Sequence, residues 1–371
     1  MSTGGTRRPA TLATLAASLK VSRTTVSNAY NRPDQLSPAL RERVLREAAR
    51  LGYLGPDPVA RSLRTRKAGA VGLLLTEALT YAFRDPAAVH FLAGLSEVCE
   101  SAGQGLLLVP ADPSRDQATA SQAVLNAGVD GFVVYSVASD DPYLAAVLAR
   151  PVPTVICDQP DDLPGVDRVG IDDHAALKAM GEHLISLGHQ HFGVLCMRLG
   201  RDRHDGLAPE QRWRRARFHV QRERITGLTE ALEQAGLDAR GMPVIERFDH
   251  TIAAGRSAAA QALDLDPTIT ALVCTTDVLA LGALQEARSR GLDVPGQLTI
   301  TGFDGLGEAI AEGLTTVVQP VEEKGRAAGR LLLQDRDTLA YGTPRTVLLP
   351  TRLNLGRTAS SPLAPRWFSG L

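Results

Sequence analysis

The 371-residue chain lacks the features that mark several classes of protein. It has no run of about 18 apolar residues, so we expect no membrane-spanning helix. The first ten residues, MSTGGTRRPA, include no apolar core of the kind that a secretory signal needs, so we expect no signal peptide and a cytoplasmic location. The catalytic motifs GxSxG and HExxH and the Walker phosphate loop are also missing, which argues against an enzyme.

Cysteine is scarce as well. The four cysteines are Cys99, Cys157, Cys196 and Cys274. They are widely spaced and none forms a CxxC pair, so neither a disulfide framework nor a zinc site is expected. Each is expected to be a small buried apolar side chain in a reducing compartment. We expect neither a bound metal nor a cofactor.

Charge is distributed unevenly along the chain. Residues 1–67 contain 13 Lys or Arg against 4 Asp or Glu, a net charge of +9. The rest contains 27 against 37, a net charge of −10. A basic segment joined to an acidic one suits a protein that contacts nucleic acid through one part only. A solvated basic surface without such a partner would have the same composition.

Residues 11–31, TLATLAASLKVSRTTVSNAYN, have the pattern of two short helices joined by a tight turn. The apolar side chains of the first recur at helical spacing: Leu12, Leu15, Ala16 and Leu19. Ser22 is a suitable N-cap for the second helix. A helix-turn-helix uses this layout to place its second helix in the DNA major groove.

A third helix has clear start and stop signals. Ser37 can cap its first turn, Pro38 suits the first helical position, and Gly52 suits its end. The sequence GPDP then breaks the chain. We therefore predict a DNA-binding headpiece over residues 1–55 and a linker over residues 56–69.

From residue 70 the pattern changes to short apolar runs that alternate with helical stretches. The predicted strands are 70–75, 105–110, 131–136, 154–157, 192–195, 244–248, 271–275 and 298–303. Near-continuous apolar strands between helices indicate parallel sheets covered on both faces. The predicted fold class is α/β, with two doubly wound sheets over residues 70–358 and a tail over residues 359–371 that is either disordered or loosely docked.

Several motifs in order resemble one family. TLATLAASLKVSRTTVSNAYNRP and DPVARSLR (57–64) are followed by GVDG, LGH, RITG, TTDVLALGAL, TGFD and TTVVQP. Together these resemble the headpiece, hinge helix and core of the lactose-repressor (LacI/GalR) family of bacterial transcription regulators, over about residues 10–357. Two features depart from it. Lys20 stands where the family usually has Gly, and an Arg-rich insertion occupies about residues 198–222.

The resemblance implies a two-lobed, periplasmic-binding-protein-like core and a homodimer. In that family the chain crosses between the lobes three times, and we place the crossings near Gly170, Phe303 and Gln319. A small ligand is expected in the cleft, at the carboxyl ends of the strands.

The resemblance also implies which headpiece residues contact DNA. Arg23, Thr24 and Asn28 match positions that contact bases, where Arg favours guanine and Asn favours adenine. Phosphate contacts or caps are assigned to Thr11, Ser22, Thr25 and Asn31. In the hinge, Leu63 matches a wedge that enters the minor groove, and the small Ala60 permits close approach. The alternatives are ordinary surface polarity for Arg23 and Asn28, and packing against the core for Leu63.

For the ligand site, Arg224 and Asp277 match the family's pocket residues, and His250 aligns with a stacking position. An internal salt bridge is the alternative for Arg224 and Asp277. On the other lobe we expect the loop after the first strand and one strand end to contribute. The residues concerned are Tyr81, Phe83, Asp85 and Ser136.

These expectations combine into one function. We expect a repressor that binds palindromic operator DNA and is released by a small polar metabolite, sugar-like or nucleoside-like; activation by a corepressor is the alternative. A transporter's solute-binding protein could share the core but would need a signal peptide and would not carry residues 1–67. An enzyme on this fold would need an acid–base or nucleophile set that the sequence does not show.

Overall fold

The computed structural model describes residues 10–53, 55, 65–75, 82–110, 117–334 and 344–363. The predicted hinge helix, with Ala60 and Leu63, and the loop residue Tyr81 lie outside the described residues. The chain divides into two compact units, residues 1–68 and residues 69–371. Among the described helices, none is long and apolar enough to cross a membrane.

The first unit is a small helical bundle. Its elements are α1 (Leu12–Leu19), α2 (Arg23–Asn31), a 3-10 turn (Pro33–Gln35) and α3 (Pro38–Leu51). The predicted limits of α3 are confirmed, because Ser37 accepts a hydrogen bond from a first-turn N–H and Gly52 ends the helix at φ 70°. Lys20 ends α1 with φ 54°, a left-handed conformation that costs a non-glycine residue roughly 1–2 kcal/mol. Apolar residues of all three helices, such as Leu15, Val26 and Val44, are fully buried between them.

The second unit contains two lobes, each built on one sheet. The strands of the first lobe are β1 (Ala70–Leu75), β2 (Gly105–Pro110), β3 (Gly131–Tyr135), β4 (Thr154–Cys157), β5 (Asp167–Gly170) and β12 (Thr346–Leu348). Their order is β12-β5-β4-β3-β1-β2, and all neighbours are parallel. Helices α4 (Pro86–Ser101) and α13 (Val321–Leu333) cover one face. Helices α5 (Gln117–Leu125) and α6 (Pro142–Leu148) cover the other.

The second lobe is built in the same way. Its strands are β6 (Phe192–Met197), β7 (Gly206–Leu207), β8 (Val244–Arg247), β9 (Ala271–Cys274), β10 (Thr299–Asp304), β11 (Thr315–Val318) and β13 (Arg352–Asn354). Their order is β13-β11-β10-β9-β6-β8-β7, parallel except for the outer strands β13 and β7. Helices α7 (Asp173–Ser186) and α9 (His219–Gln234) pack on one face, and α8 (Glu210–Arg214) lies beside α9. Helices α10 (Ile252–Leu265), α11 (Asp277–Ser289) and α12 (Gly307–Ala311) cover the other.

Glycines allow the helix pair α4 and α13 to cross closely. A Cβ on Gly94 would overlap the carbonyl oxygen of Glu322, and one on Gly325 would overlap that of Phe91. No larger residue fits at this crossing without moving a backbone. The contact fixes the first turns of α13, which begins directly after the crossing at residues 319–320.

The chain passes between the lobes at residues 171–172, 319–320 and 349–351. The crossing predicted near Phe303 is wrong, because Phe303 lies in β10, which pairs with β9 and β11 inside the second sheet. The third crossing instead joins β12 to β13, and both are strands of three residues. Neither strand has the apolar run by which the longer strands were predicted.

The start of the predicted tail is ordered. His189 donates from Nε2 to the carbonyl of Ser360 at 2.9 Å. The N–H of Leu363 donates to the carbonyl of Gly296 at 3.1 Å. Residues 359–363 are therefore held against the second lobe, so for this stretch the docked alternative applies and the disordered one does not.

Candidate functional site

Helix α2 exposes predicted DNA-contacting side chains at its start. Ser22 Oγ accepts a hydrogen bond from the Thr25 N–H at 3.0 Å, so the predicted cap is confirmed. Arg23 and Thr24 follow directly and are exposed. A helix N-terminus favours an anion such as a DNA phosphate, since its first N–H groups lack helical acceptors.

The amide of Asn28 has a neighbour that the sequence did not indicate. Its Nδ2 donates to Oε1 of Gln35, in the turn after α2, at 3.1 Å. The amide of Asn31 instead donates to the carbonyl of Ser27 at 3.0 Å, within the helix itself. Thr11 caps α1. These bonds give Asn31 and Thr11 local structural roles, and DNA contact by any of the headpiece residues stays a prediction.

A cavity of about 110 Å³ lies between the two lobes of the second unit, at the carboxyl ends of their strands. Its polar wall on the first lobe comes from Asp85, Ser136, Asp158 and Gln159. On the second lobe it comes from Arg198, Gln221, Arg224, His250, Thr276 and Asp304. Gln319, at a crossing, completes it.

Four of the predicted ligand-site residues line this cavity: Asp85, Ser136, Arg224 and His250. Phe83 does not, since its side chain is 59% exposed, and Ala82 forms that part of the wall instead. The expectation for Phe83 is therefore wrong. The preceding residue, Ala82, faces the cavity, and the aromatic ring of Phe83 does not.

Arg224 both lines the cavity and is held by internal contacts. Its Nε donates to Asp173 at 2.8 Å, and its Nη1 donates to the carbonyl of Thr275 at 2.6 Å. The guanidinium carbon lies 3.5 Å from the ring centroid of Phe303. The ion pair with Asp173 balances the charge, and the ring and carbonyl fix the orientation of the guanidinium.

Asp277 is not part of the cavity wall, although the sequence places it there. It is fully buried, and its carboxylate accepts from the Leu306 N–H at 2.7 Å and from Thr316 Oγ1 at 2.6 Å. Burial raises the pKa of Asp277 to about 6. Asp277 therefore joins the start of α11 to β11 and to the segment after β10, and its prediction as a ligand contact is wrong.

Backbone strain is concentrated around the cavity. Ser136, Asp158 and Asp304 have φ values of 53°, 64° and 125°, which L-residues rarely adopt. Each ends or follows a strand of one of the two sheets, and each lines the cavity. Residues held in such conformations cluster at binding sites, where the surrounding structure compensates for their cost of about 1–3 kcal/mol.

A buried polar chain connects the two lobes under the cavity. Lys324 Nζ, on α13, donates to the two carboxylate oxygens of Asp158 at 2.7 and 2.8 Å and to Gln319 Oε1 at 2.7 Å. Gln319 Nε2 in turn donates to Asp304 at 2.6 Å. Burial raises the pKa of Asp304 to about 8, so this carboxyl group is largely protonated at neutral pH.

Comparisons with known proteins agree with this architecture. Residues 182–359 match a family described as a periplasmic binding protein-like domain. A curated relative, the HTH-type transcriptional regulator Rv3575c of Mycobacterium tuberculosis, is 57% identical over 96% of this chain and 98% of its own length. A solved LacI-family transcriptional regulator from Corynebacterium glutamicum is 41% identical, with a TM-score of 0.73 over 96% of this chain and 99% of that one.

The chain belongs to the LacI family. A complex of the transcriptional regulator CelR with cellobiose is also similar, at 27% identity and a TM-score of 0.68 over 94% of this chain and 100% of that one. The predicted family, the two-lobed α/β core and the helical N-terminal unit are confirmed. This LacI-family protein is a ligand-responsive, DNA-binding transcriptional regulator and not an enzyme.

Several wall residues of this LacI-family cavity were missed by sequence reasoning. Asp158 and Asp304 directly follow or end apolar strands, so the expectation that a ligand lies at the carboxyl ends of the strands could have found them. Arg198 had no comparable signal. It lies between the rings of Phe218 and Phe248, 5.0 and 5.4 Å from their centroids, and these residues come from separate segments of the chain.

Proposed function

We propose that this regulator is a repressor that binds a palindromic operator as a homodimer in the cytoplasm. A small polar metabolite, sugar-like or nucleoside-like, would bind in the cavity and release the protein from DNA. The observation that carries this proposal is the cavity itself, whose hydrogen-bonding wall is shared between the two lobes. A ligand that contacts both lobes can change the angle between them.

The DNA-binding half of the proposal is supported by charge and by α2. Residues 1–67 have a net charge of +9, which suits a polyanionic partner. Arg23, Thr24 and Asn28 would contact base edges in the major groove. In the hinge, Leu63 would enter the minor groove beside its copy in the partner protomer, with Ala60 allowing close approach.

The ligand is proposed to be neutral because the cavity's charges balance within the protein. Arg224 pairs with Asp173, and Asp158 pairs with Lys324. The remaining charged wall residues, Arg198 on one lobe and Asp85 on the other, have opposite signs. Burial keeps Asp304 largely protonated, and burial lowers the pKa of His250, which favours its neutral ring. The wall therefore offers many hydrogen bonds and little net charge, which suits hydroxyl groups better than a carboxylate or an ammonium group.

The effect of ligand binding on DNA binding would be transmitted through the first lobe. The linker of residues 56–69 leads directly into β1, so a change in lobe angle would alter the spacing of the two linkers in a dimer. A short hinge helix is marginal alone and depends on its partner and on DNA. Such coupling is reciprocal and typically about 1–3 kcal/mol.

The proposal is tested by finding the operator and then the ligand. Binding-site selection with the full chain should yield a palindrome. A thermal-shift screen with neutral sugars, polyols and nucleosides should then find a stabilising compound, since a ligand at 100 times its Kd stabilises by about 2.7 kcal/mol. That compound should weaken operator binding at least fivefold in a gel-shift assay.

The variant Arg198→Met keeps an apolar stem between its two aromatic rings but removes the guanidinium donors from the cavity wall. It should lose the thermal shift while retaining operator binding. Arg214→Met, a charge-matched change outside the cavity wall, is the control. A ligand that strengthens operator binding would establish corepression instead. A cleft ligand that changes operator affinity by less than twofold in either direction would contradict ligand control altogether.

A further inference from the structure

Residues 198–218, most of the Arg-rich stretch noted at about residues 198–222, form a segment that we call the strap. It leaves the end of β6 beside the cavity, contains β7 and α8, and returns to the start of α9. Its two ends meet, because the N–H of Arg217 donates to the carbonyl of Leu199 at 2.7 Å. Arg198 and Phe218, the first and last residues of the strap, both line the cavity.

The strap is firmly attached to the second lobe. Glu246, on β8, has no exposed surface, and its carboxylate accepts from the Leu199 N–H at 2.8 Å. Arg212 donates to the same carboxylate through Nε at 2.5 Å and through Nη2 at 3.0 Å. Trp213 of α8 is buried in the core of that lobe. A bidentate ion pair to a buried carboxylate holds geometry strongly, so these contacts fix the strap to the second lobe.

The strap also reaches across the cleft to the first lobe. The N–H of Ser139, in the loop before α6, donates to the carbonyl of Arg217 at 3.1 Å. Arg201 Nη1 donates to the carbonyl of Asp140 at 3.3 Å. The Asp140 carboxylate lies 3.6 Å from Nε of Arg217. These contacts are few, and the ion pair is largely exposed, so each is weak compared with the attachment to Glu246.

Residues directly after the strap continue this line of contacts between the two lobes, which we call the seam, into the cavity. The N–H of Val220 donates to Oε1 of Gln159 at 3.0 Å, and Gln159 Nε2 donates to Ser136 Oγ at 2.9 Å. Gln159 and Ser136 belong to the first lobe, and all three residues line the cavity. His219 Nδ1 lies 3.4 Å from Asp161 Oδ1 of the first lobe. The seam thus runs from the surface contacts of the strap to the wall of the ligand site.

We propose that the strap is an interlobe latch, fixed to the second lobe and detachable from the first, which holds the cleft closed over the cavity. Because the strap is held strongly by the second lobe and weakly by the first, it should separate from the first lobe when the cleft opens. If the cavity is the ligand site, as proposed above, a ligand would contact the latch directly through Arg198 and Phe218, so occupancy of the cavity and engagement of the strap would be linked. The latch is a property of the two lobes and does not depend on which DNA or ligand the regulator binds.

The test is hydrogen exchange of the full chain without DNA or ligand, followed by mass spectrometry. The double variant Arg201→Ala/Arg217→Ala removes the side-chain contacts of the strap with the first lobe. Peptides containing Ser139 and Val220 should then exchange about fivefold faster, which corresponds to about 1 kcal/mol. Arg214→Ala is the matched control, because Arg214 pairs with Glu210 within the strap. It should stay within twofold of the unmodified protein.

A second comparison tests whether the Arg217 contact spans the cleft. Asp140→Ala, made on the first lobe, should accelerate hydrogen exchange of the same peptides as much as Arg217→Ala does. The double variant Asp140→Ala/Arg217→Ala should exchange no faster than either single variant, because both changes remove the same contact. Exchange of the Arg201→Ala/Arg217→Ala variant within twofold of the unmodified protein would overturn the latch. Equal acceleration in Arg214→Ala would also overturn it, because the effect would then be general loosening of the strap.

Discussion

Replacement of Asp304 by Asn isolates the ionisation of one buried group in the cavity. Asn keeps the Oδ1 acceptor for Gln319 Nε2 and nearly the same shape, but it cannot ionise. In the unmodified protein, burial raises the pKa of Asp304 from 3.8 to about 8, and nearby Asp277 and Asp85 act in the same direction. Arg224 opposes this shift without cancelling it.

The sign of the effect follows from the raised pKa. The native state holds a proton on Asp304 that the unfolded chain has already released, so raising the pH removes stability. The loss accumulates from about pH 4 to about pH 8 and then levels off. Each pH unit within that window costs up to about 1.4 kcal/mol, so about 2–3 kcal/mol is lost between pH 6 and pH 8. Asp304→Asn lacks this loss.

Urea unfolding of the full chain at both pH values measures the effect, and the relevant quantity is the difference between variant and unmodified protein. That difference should shift by about 2–3 kcal/mol in favour of the variant as the pH rises from 6 to 8. Asp162→Asn, at an exposed position, is the control and should show no such shift. A difference for Asp304→Asn that is the same at both pH values would refute the raised pKa and, with it, the balanced charge of the cavity.

Three further predictions concern the headpiece and the core. The logarithm of operator affinity should fall steeply with the logarithm of salt concentration, by roughly 0.9 per phosphate contact, and a shallow slope would contradict binding through the basic segment. Asn28→Ala should cost about 1–3 kcal/mol at one base pair of each half-site, and an unchanged selected sequence would remove Asn28 from the base-contacting set. Asp277→Ala should lower the free energy of unfolding by about 2–4 kcal/mol, because it leaves the buried N–H of Leu306 without its acceptor. If Asp277→Ala were as stable as the unmodified protein but no longer responded to ligand, Asp277 would be a ligand contact after all.

Local sequence signals predicted the helix limits and most strands well. Ser22 and Ser37 cap the starts of α2 and α3, and Gly52 ends α3. Such caps can be predicted because they depend only on residues within one helical turn. Long apolar strands such as β1 were found because burial on both faces leaves a continuous apolar run. The strands β12 and β13 were missed because they are short and partly exposed, and the third crossing was misplaced with them.

The cavity wall was harder to predict than the strands, because the local backbone conformation decides which carboxylate at a strand end faces the cavity. Asp158, Asp277 and Asp304 all follow or end apolar strands, and residue type does not distinguish them. The first and third have positive φ and line the cavity, whereas Asp277 begins a helix and turns inward. These differences arise from packing between distant segments and leave no pattern in the sequence.

Gln319 shows how a ligand and the lobe angle can be linked at one residue. It lies at a crossing, lines the cavity, accepts from Lys324 of the first lobe and donates to Asp304 of the second. A ligand hydroxyl bonded to Asp304 would compete with or strengthen the hydrogen bond from Gln319. Either change would act on a segment that joins the two lobes. If the ligand binds as proposed, this crossing is part of its site, so occupancy would change the free energy of lobe rotation directly and no longer relay through the sheets would be required.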